Sequence, residues 1–155
     1  MQRRVFLVAG ASGFVLPARA HHGWSSFDAE RPLYLEGRAT KVVWQNPHAE
    51  VMLEVATPLA LPGDLARRAV PAQSARLDGP AILAKAQLPR RSDKVWELEL
   101  APLSRMEAWK VAEIKPGTLL SVVGYAFAEE KGEPVLRVEY LFVGGKAYGL
   151  RSSPA

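Results

Sequence analysis

The sequence predicts a mainly-β fold, a small five-stranded antiparallel barrel with one short helix between strands 3 and 4. Three observations carry that expectation. Apolar and polar residues alternate with a period of two through residues 33–44, 48–55 and 95–100, and strand-like runs return at 118–127 and 134–143. Helical spacing falls between the third and fourth of these, over Leu103 to Lys110, where Leu103, Met106 and Trp109 or Lys110 mark successive turns. The resulting order is strand, strand, long insertion, strand, helix, strand, strand. That is the order of an OB-like barrel, with a small open β-sandwich carrying one helix on its end as the alternative.

Ahead of the domain, residues 1–20 describe a secretory signal. They have a basic start (Gln2-Arg3-Arg4), an apolar run from Val5 to Leu16 and the small-x-small ending Ala18-Arg19-Ala20. The run is too short to span a bilayer, which needs about 20 apolar residues. Arg3-Arg4-Val5-Phe6-Leu7 also resembles a twin-arginine export signal. Cleavage after Ala20 predicts a periplasmic or secreted domain over 21–155, with no transmembrane span in the mature chain.

Three of the 20 Lys and Arg lie in that leader, which holds no acid. The remainder therefore carries 17 basic against 16 acidic side chains, and the net charge of +4 falls to +1. So weak a positive balance argues against a nucleic-acid partner. There is no cysteine, so any transition-metal site must use nitrogen and oxygen donors.

The elements follow in order. Residues 21–32 lack a period and end in proline, which predicts an extended arm pinned by Trp24 and Phe27. In the first strand Leu33, Leu35, Gly37, Ala39 and Val43 are expected on one face, with Tyr34, Glu36, Arg38, Thr40 and Val42 on the other. Gly37 suggests a bulge or bend within it. Asn46-Pro47 makes a turn. The second strand then puts Ala49, Val51, Leu53 and Val55 inward, with His48, Glu50, Met52 and Glu54 outward or at the rim.

From Thr57 to Lys94 the composition changes, with five prolines and seven basic against three acidic residues. We expect a mobile, mostly irregular insertion with a short helix over Ala81 to Gln87 after Gly79-Pro80. Trp96, Leu98 and Leu100 of the third strand face in, with Glu97 and Glu99 facing out. Met106 is expected to fill the core. Lys115-Pro116-Gly117 turns the chain into the fourth strand, and a polar hairpin at 129–133 leads to the fifth. The buried face there is Leu136, Val138, Tyr140 and Phe142, and the glycine-rich tail from Gly144 should fray.

The chemistry of greatest interest lies in the three histidines. After cleavage, His21 would offer both its α-amine and its ring Nδ1 to one metal. Its amine pKa of about 7.7–8.0 and imidazole pKa of about 6.5 allow both to bind near neutral pH. The ring of His48 would complete a three-nitrogen, T-shaped set suited to copper, a histidine brace. His22 is a competing or fourth ligand, and Asp28 could give an axial oxygen.

His21-His22-x-Trp24, Asp28, Trp44-x-Asn46-Pro47-His48 and Lys115-Pro116-Gly117 together resemble a domain-of-unknown-function family of small bacterial exported proteins. In that family the mature chain commonly starts His-His-Ser-Phe and carries Trp-x-Asn-Pro-His. The resemblance covers roughly residues 21–56 and 95–143 and implies export and a small β-barrel, with no assigned activity. This chain departs from the pattern with Gly23-Trp24 in place of Ser-Phe, with Thr118 where aspartate often follows Lys-Pro-Gly, and with its long insertion.

Two functions therefore stay open. One is a copper carrier or buffer that serves a metal-handling or periplasmic partner. The other is a metal-free binding module that uses the basic insertion or an outer-face platform of Tyr34 and Trp44. An enzyme has less support, since no Gly-x-Ser-x-Gly, phosphate-binding or dinucleotide glycine pattern occurs.

Overall fold

The computed structural model describes residues 23–155. The leader, His21 and His22 lie outside the described residues. Eight elements follow the arm: β1 (Leu33–Val43), β2 (Glu50–Val55), α1 (Gly79–Lys85), β3 (Val95–Glu99), α2 (Leu103–Ala108), β4 (Leu119–Tyr125), β5 (Val135–Val143) and β6 (Lys146–Gly149). The sheet order is β3-β2-β1-β4-β5-β6, and β3 also pairs with β5. That last pairing closes a five-stranded barrel, with β6 added as a hairpin on β5. The β3–β5 pair is parallel, so the barrel is mixed rather than wholly antiparallel as expected. The short helix α2 sits between β3 and β4, as the spacing of Leu103 and Met106 predicts.

Inside the barrel, Leu33, Leu35, Ala39, Val51, Leu53, Trp96, Leu98 and Leu136 are buried together, and Met106 plugs the same core from α2. Two bulges change which side chains join them. In β1 the register passes from Ala39↔Leu53 to Lys41↔Met52, which leaves Thr40 as the extra residue, its hydroxyl donating to the Met52 carbonyl at 3.1 Å. Because one inserted residue inverts the period-two alternation, Val42 and Trp44 pack against the inner core although Tyr34, of the same parity, faces out. The bulge therefore lies three residues past Gly37. The glycine answers a different need: a Cβ there would stand 1.9 Å from the Glu54 carbonyl oxygen on β2.

In β5 the same thing happens at Glu139. Val123 pairs with Tyr140 and Gly124 with Val138, so Glu139 is skipped. Leu136 and Val138 point into the barrel, but beyond the bulge Leu141 takes the inward place. Tyr140 and Phe142 turn outward, contrary to the simple alternation.

The insertion is not an open loop. It lays Leu65, Leu83 and Ala86 on the outward side chains of Tyr34, Val123 and Tyr140, a second apolar layer outside the barrel. A single helical turn at Leu65–Arg67 and the helix α1 supply that layer. Asp78 starts α1 by accepting the Ala81 N–H at 3.0 Å, with Pro80 in the first turn. Its return is tied down at Glu130, whose buried carboxylate accepts the backbone N–H groups of Arg90 and Arg91 at 3.0 and 3.2 Å and a guanidinium N–H of Arg31.

Nor does the tail fray. Gly144 and Gly145, with φ of 59° and 74°, form a two-residue hairpin turn. The chain then returns as β6 and buries Tyr148 and Leu150. Past it, the Ser152 carbonyl accepts the Trp109 indole N–H at 2.8 Å, which fixes the tail to α2.

Candidate functional site

The Trp44-x-Asn46-Pro47-His48 segment closes the β1–β2 hairpin over α2. Trp44 borders the same recess as Leu103 and Met106. The side-chain oxygen of Asn46 accepts the Leu103 N–H at 3.1 Å, which satisfies one of the donors that a helix start leaves unpaired. Ala49 exchanges backbone hydrogen bonds with the 100–101 segment at 2.9 and 3.0 Å. The corner thus has a structural task that accounts for Trp44 and Asn46 of the motif and for the neighbouring Ala49. His48 lies just ahead of β2 and is half-buried.

Two strands across from this corner sits a group of residues that the strand pattern did not single out. By register Glu50 of β2 lies beside Glu99 of β3, and Glu99 lies beside Arg137 of β5. Arg137 donates to Glu99 at 2.9 Å, and both are buried, so Glu99 does not face solvent as expected. The indole of Trp24 lies against this pair, 5.0 Å from the Arg137 guanidinium, and edge-on to Tyr125 at 6.3 Å. A second guanidinium, that of Arg151, lies 3.6 Å from the same indole. Arg151 in turn donates to Glu139 at 2.8 Å, and Glu139 also accepts from Gln73 at 3.2 Å.

The Glu139 side chain is completely buried. Burial raises its pKa above the ordinary carboxylate value, against the opposing pull of Arg151 and Gln73. One visible signal was an arginine and a glutamate inside the apolar run Val135–Val143. Charges in an otherwise buried strand need partners, and here the partners hold the N-terminal arm, the insertion and the tail together.

The predicted ligands divide accordingly. Asp28 lies in the arm, where its backbone N–H donates to Ala126 at 2.9 Å and its Oδ1 accepts the Glu30 N–H at 3.1 Å. One oxygen of that carboxylate thus closes its own turn. His48 stands at the β1–β2 corner. Among the described residues, which do not include His21 and His22, no three His, Asp or Glu side chains are grouped to hold a metal.

The predicted platform does not form. Tyr34 is fully buried beneath the insertion and donates to Glu36 at 2.6 Å, while Trp44 packs on the inner core at the α2 corner. The insertion's basic character is also partly spent internally, since Arg68 pairs with Asp64 and Arg91 with Asp93.

What these residues define is a small closed β-barrel with an apolar cover on one side and a charged, aromatic clasp for the N-terminal arm on another. A family model described as a family of unknown function (DUF6152) matches residues 10–63, a span that holds all three histidines. No curated protein and no solved structure matches the chain. Among the described residues no helix is long and apolar enough to cross a membrane.

Proposed function

We propose that the protein is exported, is cut after Ala20, and binds copper through the α-amine and ring of His21 and the ring of His48, as a carrier or buffer. The observation that carries this reading is the clasp on Trp24. Arg137 holds that indole, and Arg137 is two strand positions from Glu50, which follows His48 by two residues. Strands lie about 4.8 Å apart, so Arg137 is about 10 Å from Glu50 across the sheet and about 12 Å from the His48 corner, two residues further along. Three residue steps of extended chain lead from Trp24 back to His21 and span up to about 10 Å, before the reach of the two imidazole side chains. Export places metal acquisition outside the cytoplasm, where the free amine first exists.

The donor set fits copper(II). It offers one amine and two imidazoles, in a chain without cysteine that could divert a softer metal. Both histidine motifs fall inside the span matched by the family model, which supports reading them as one unit. We further read the barrel as an OB-fold, supported by its strand order, its parallel β3–β5 closure and the placement of α2.

The test is a copper(II) titration of protein beginning at His21, followed by electron paramagnetic resonance, beside His48→Ala. The expected result is one-to-one binding with a nitrogen-rich axial signal, weakened at least tenfold in the variant. Binding that ignores His48 would contradict the proposal.

A further inference from the structure

We propose that Gln73, a residue of the insertion, is a positioning residue for the N-terminal arm, acting through Glu139 and Arg151 on Trp24. The proposal concerns where the arm lies, and only its consequence for metal affinity rests on the copper reading.

The path starts at a side chain that donates and accepts at once. Gln73 is buried, its Nε2 donates to Oε1 of Glu139 at 3.2 Å, and its Oε1 accepts the Ser152 N–H at 2.9 Å. A carboxylate at this place could not donate and an ammonium could not accept. The end of β6 leaves room for the amide, since a Cβ on Gly149 would stand 2.4 Å from the Gln73 amide carbon.

Glu139 is the next link. It is completely buried, and the bulge in β5 leaves it out of register with β4. Gln73 donates to one of its carboxylate oxygens, and Arg151 approaches the other with both Nε and Nη2, at 2.8 and 2.6 Å. Two contacts fix the plane of a guanidinium as well as its place. The Trp24 indole lies on that guanidinium, 3.6 Å away. Without Gln73, one oxygen of a buried carboxylate loses its donor, which is costly. The carboxylate then turns to recover a partner and carries the Arg151 guanidinium with it.

The tail that bears Arg151 is also tied down elsewhere. The Trp109 indole N–H donates to the Ser152 carbonyl at 2.8 Å, and Arg105 donates to the Leu150 carbonyl at 3.0 Å. Loss of Gln73 therefore leaves the tail on α2 and is felt at Glu139. On the arm, the turn that carries Trp24 is closed by the Phe27 N–H donating to the Trp24 carbonyl at 3.1 Å, and the Asp28 N–H donates to Ala126 at 2.9 Å. Those two amides report whether the arm is seated.

Hydrogen exchange of the full-length protein, followed amide by amide by nuclear magnetic resonance, tests this in Gln73→Leu, Arg151→Met, their double variant and Leu83→Ala. We expect the Phe27 and Asp28 amides to exchange about tenfold faster in Gln73→Leu and at least as fast in Arg151→Met. The double variant should exceed Arg151→Met by no more than about twofold, because successive links of one path do not add. Leu83→Ala, which loosens the apolar layer of the same insertion, should leave both amides within about twofold of the parent. Coupling is reciprocal, so Trp24→Ala, with Gln73 intact, should speed exchange of the Ser152 amide about tenfold. Unchanged arm amides in Gln73→Leu, effects that multiply in the double variant, equal loosening by Leu83→Ala, or an unchanged Ser152 amide in Trp24→Ala would each overturn the proposal. In copper(II) titrations Gln73→Leu should bind severalfold more weakly than the parent. A parent that binds no copper would remove the copper reading and leave the exchange rates to decide the relay.

Discussion

Two parts of the chain wrap the outside of one barrel, and they do so with opposite chemistry. The insertion sets leucines and an alanine on Tyr34, Val123 and Tyr140, and its layer is nearly all apolar. The N-terminal arm sets Trp24 against Arg137 and Arg151, whose carboxylate partners are the buried Glu99 and Glu139. An apolar layer is held by area and tolerates small shifts. A buried ion-paired clasp has directional partners, and removing one leaves the other costly. The first arrangement serves stability, and the second fixes where one particular segment of chain lies. That segment is the one leading back to the histidines.

The sharpest way to break the apolar half is Leu83→Ala. Leu83 is almost fully buried on the outer layer, and its loss should cost about 2–5 kcal/mol, read as a lowered urea midpoint. Copper affinity should hold in this variant at temperatures where it stays folded. The reverse pattern belongs to Trp24→Ala. Here the loss is an edge-on aromatic pair and cation contacts on a half-buried ring, about 1–2 kcal/mol of stability. Faster proteolytic cutting of the arm should accompany it, with the barrel's near-ultraviolet signal otherwise kept.

A smaller effect separates the two halves by pH. Glu139 has a raised pKa through burial, so the native state takes up its proton before the unfolded chain does. Its contribution to stability is full below the ordinary carboxylate pKa and is lost as the pH rises through the raised value. Glu130 has the opposite sign. Burial opposes ionisation there, but Arg31 and the N–H groups of Arg90 and Arg91 outweigh it and hold the pKa below the ordinary value. That contribution is present above the ordinary pKa and is lost as the pH falls through the lowered one. On the neutral side of a pH 3 to 8 series, thermal midpoints should therefore rise above the parent for Glu139→Gln and fall below it for Glu130→Gln, with both variants converging on the parent toward acid. A neutral-side shift of the same sign in both would contradict the assignment.

Much of the barrel was legible because period-two alternation reports a half-buried strand directly. Leu33, Leu35, Val51, Leu53, Trp96 and Leu98 all point as their spacing says. The failures share a cause. A bulge at Thr40 or Glu139 leaves no composition signal but inverts every side chain after it, so Trp44, Tyr140 and Phe142 were placed on the wrong faces. The insertion read as irregular because its apolar residues have no single period, and they meet a surface formed by three distant strands. Tyr34 seemed to face solvent for the same reason. The tail's glycines signal a fraying end and a hairpin turn equally well, and Tyr148 and Leu150 decide for the hairpin only once β5 is there to receive them. Of the site, the sequence offered residue types and motif spacing. The Trp24 clasp depends on Arg137, Arg151 and Glu139, which converge only in the folded barrel.

The measurement that tests the central claim most directly acetylates the α-amine of protein starting at His21. That change keeps every side chain and removes only the α-amine as a donor. Copper(II) affinity should fall at least a hundredfold relative to the free amine form, and its nitrogen-rich axial resonance should change. Equal affinity and an unchanged spectrum in the acetylated protein would contradict the account.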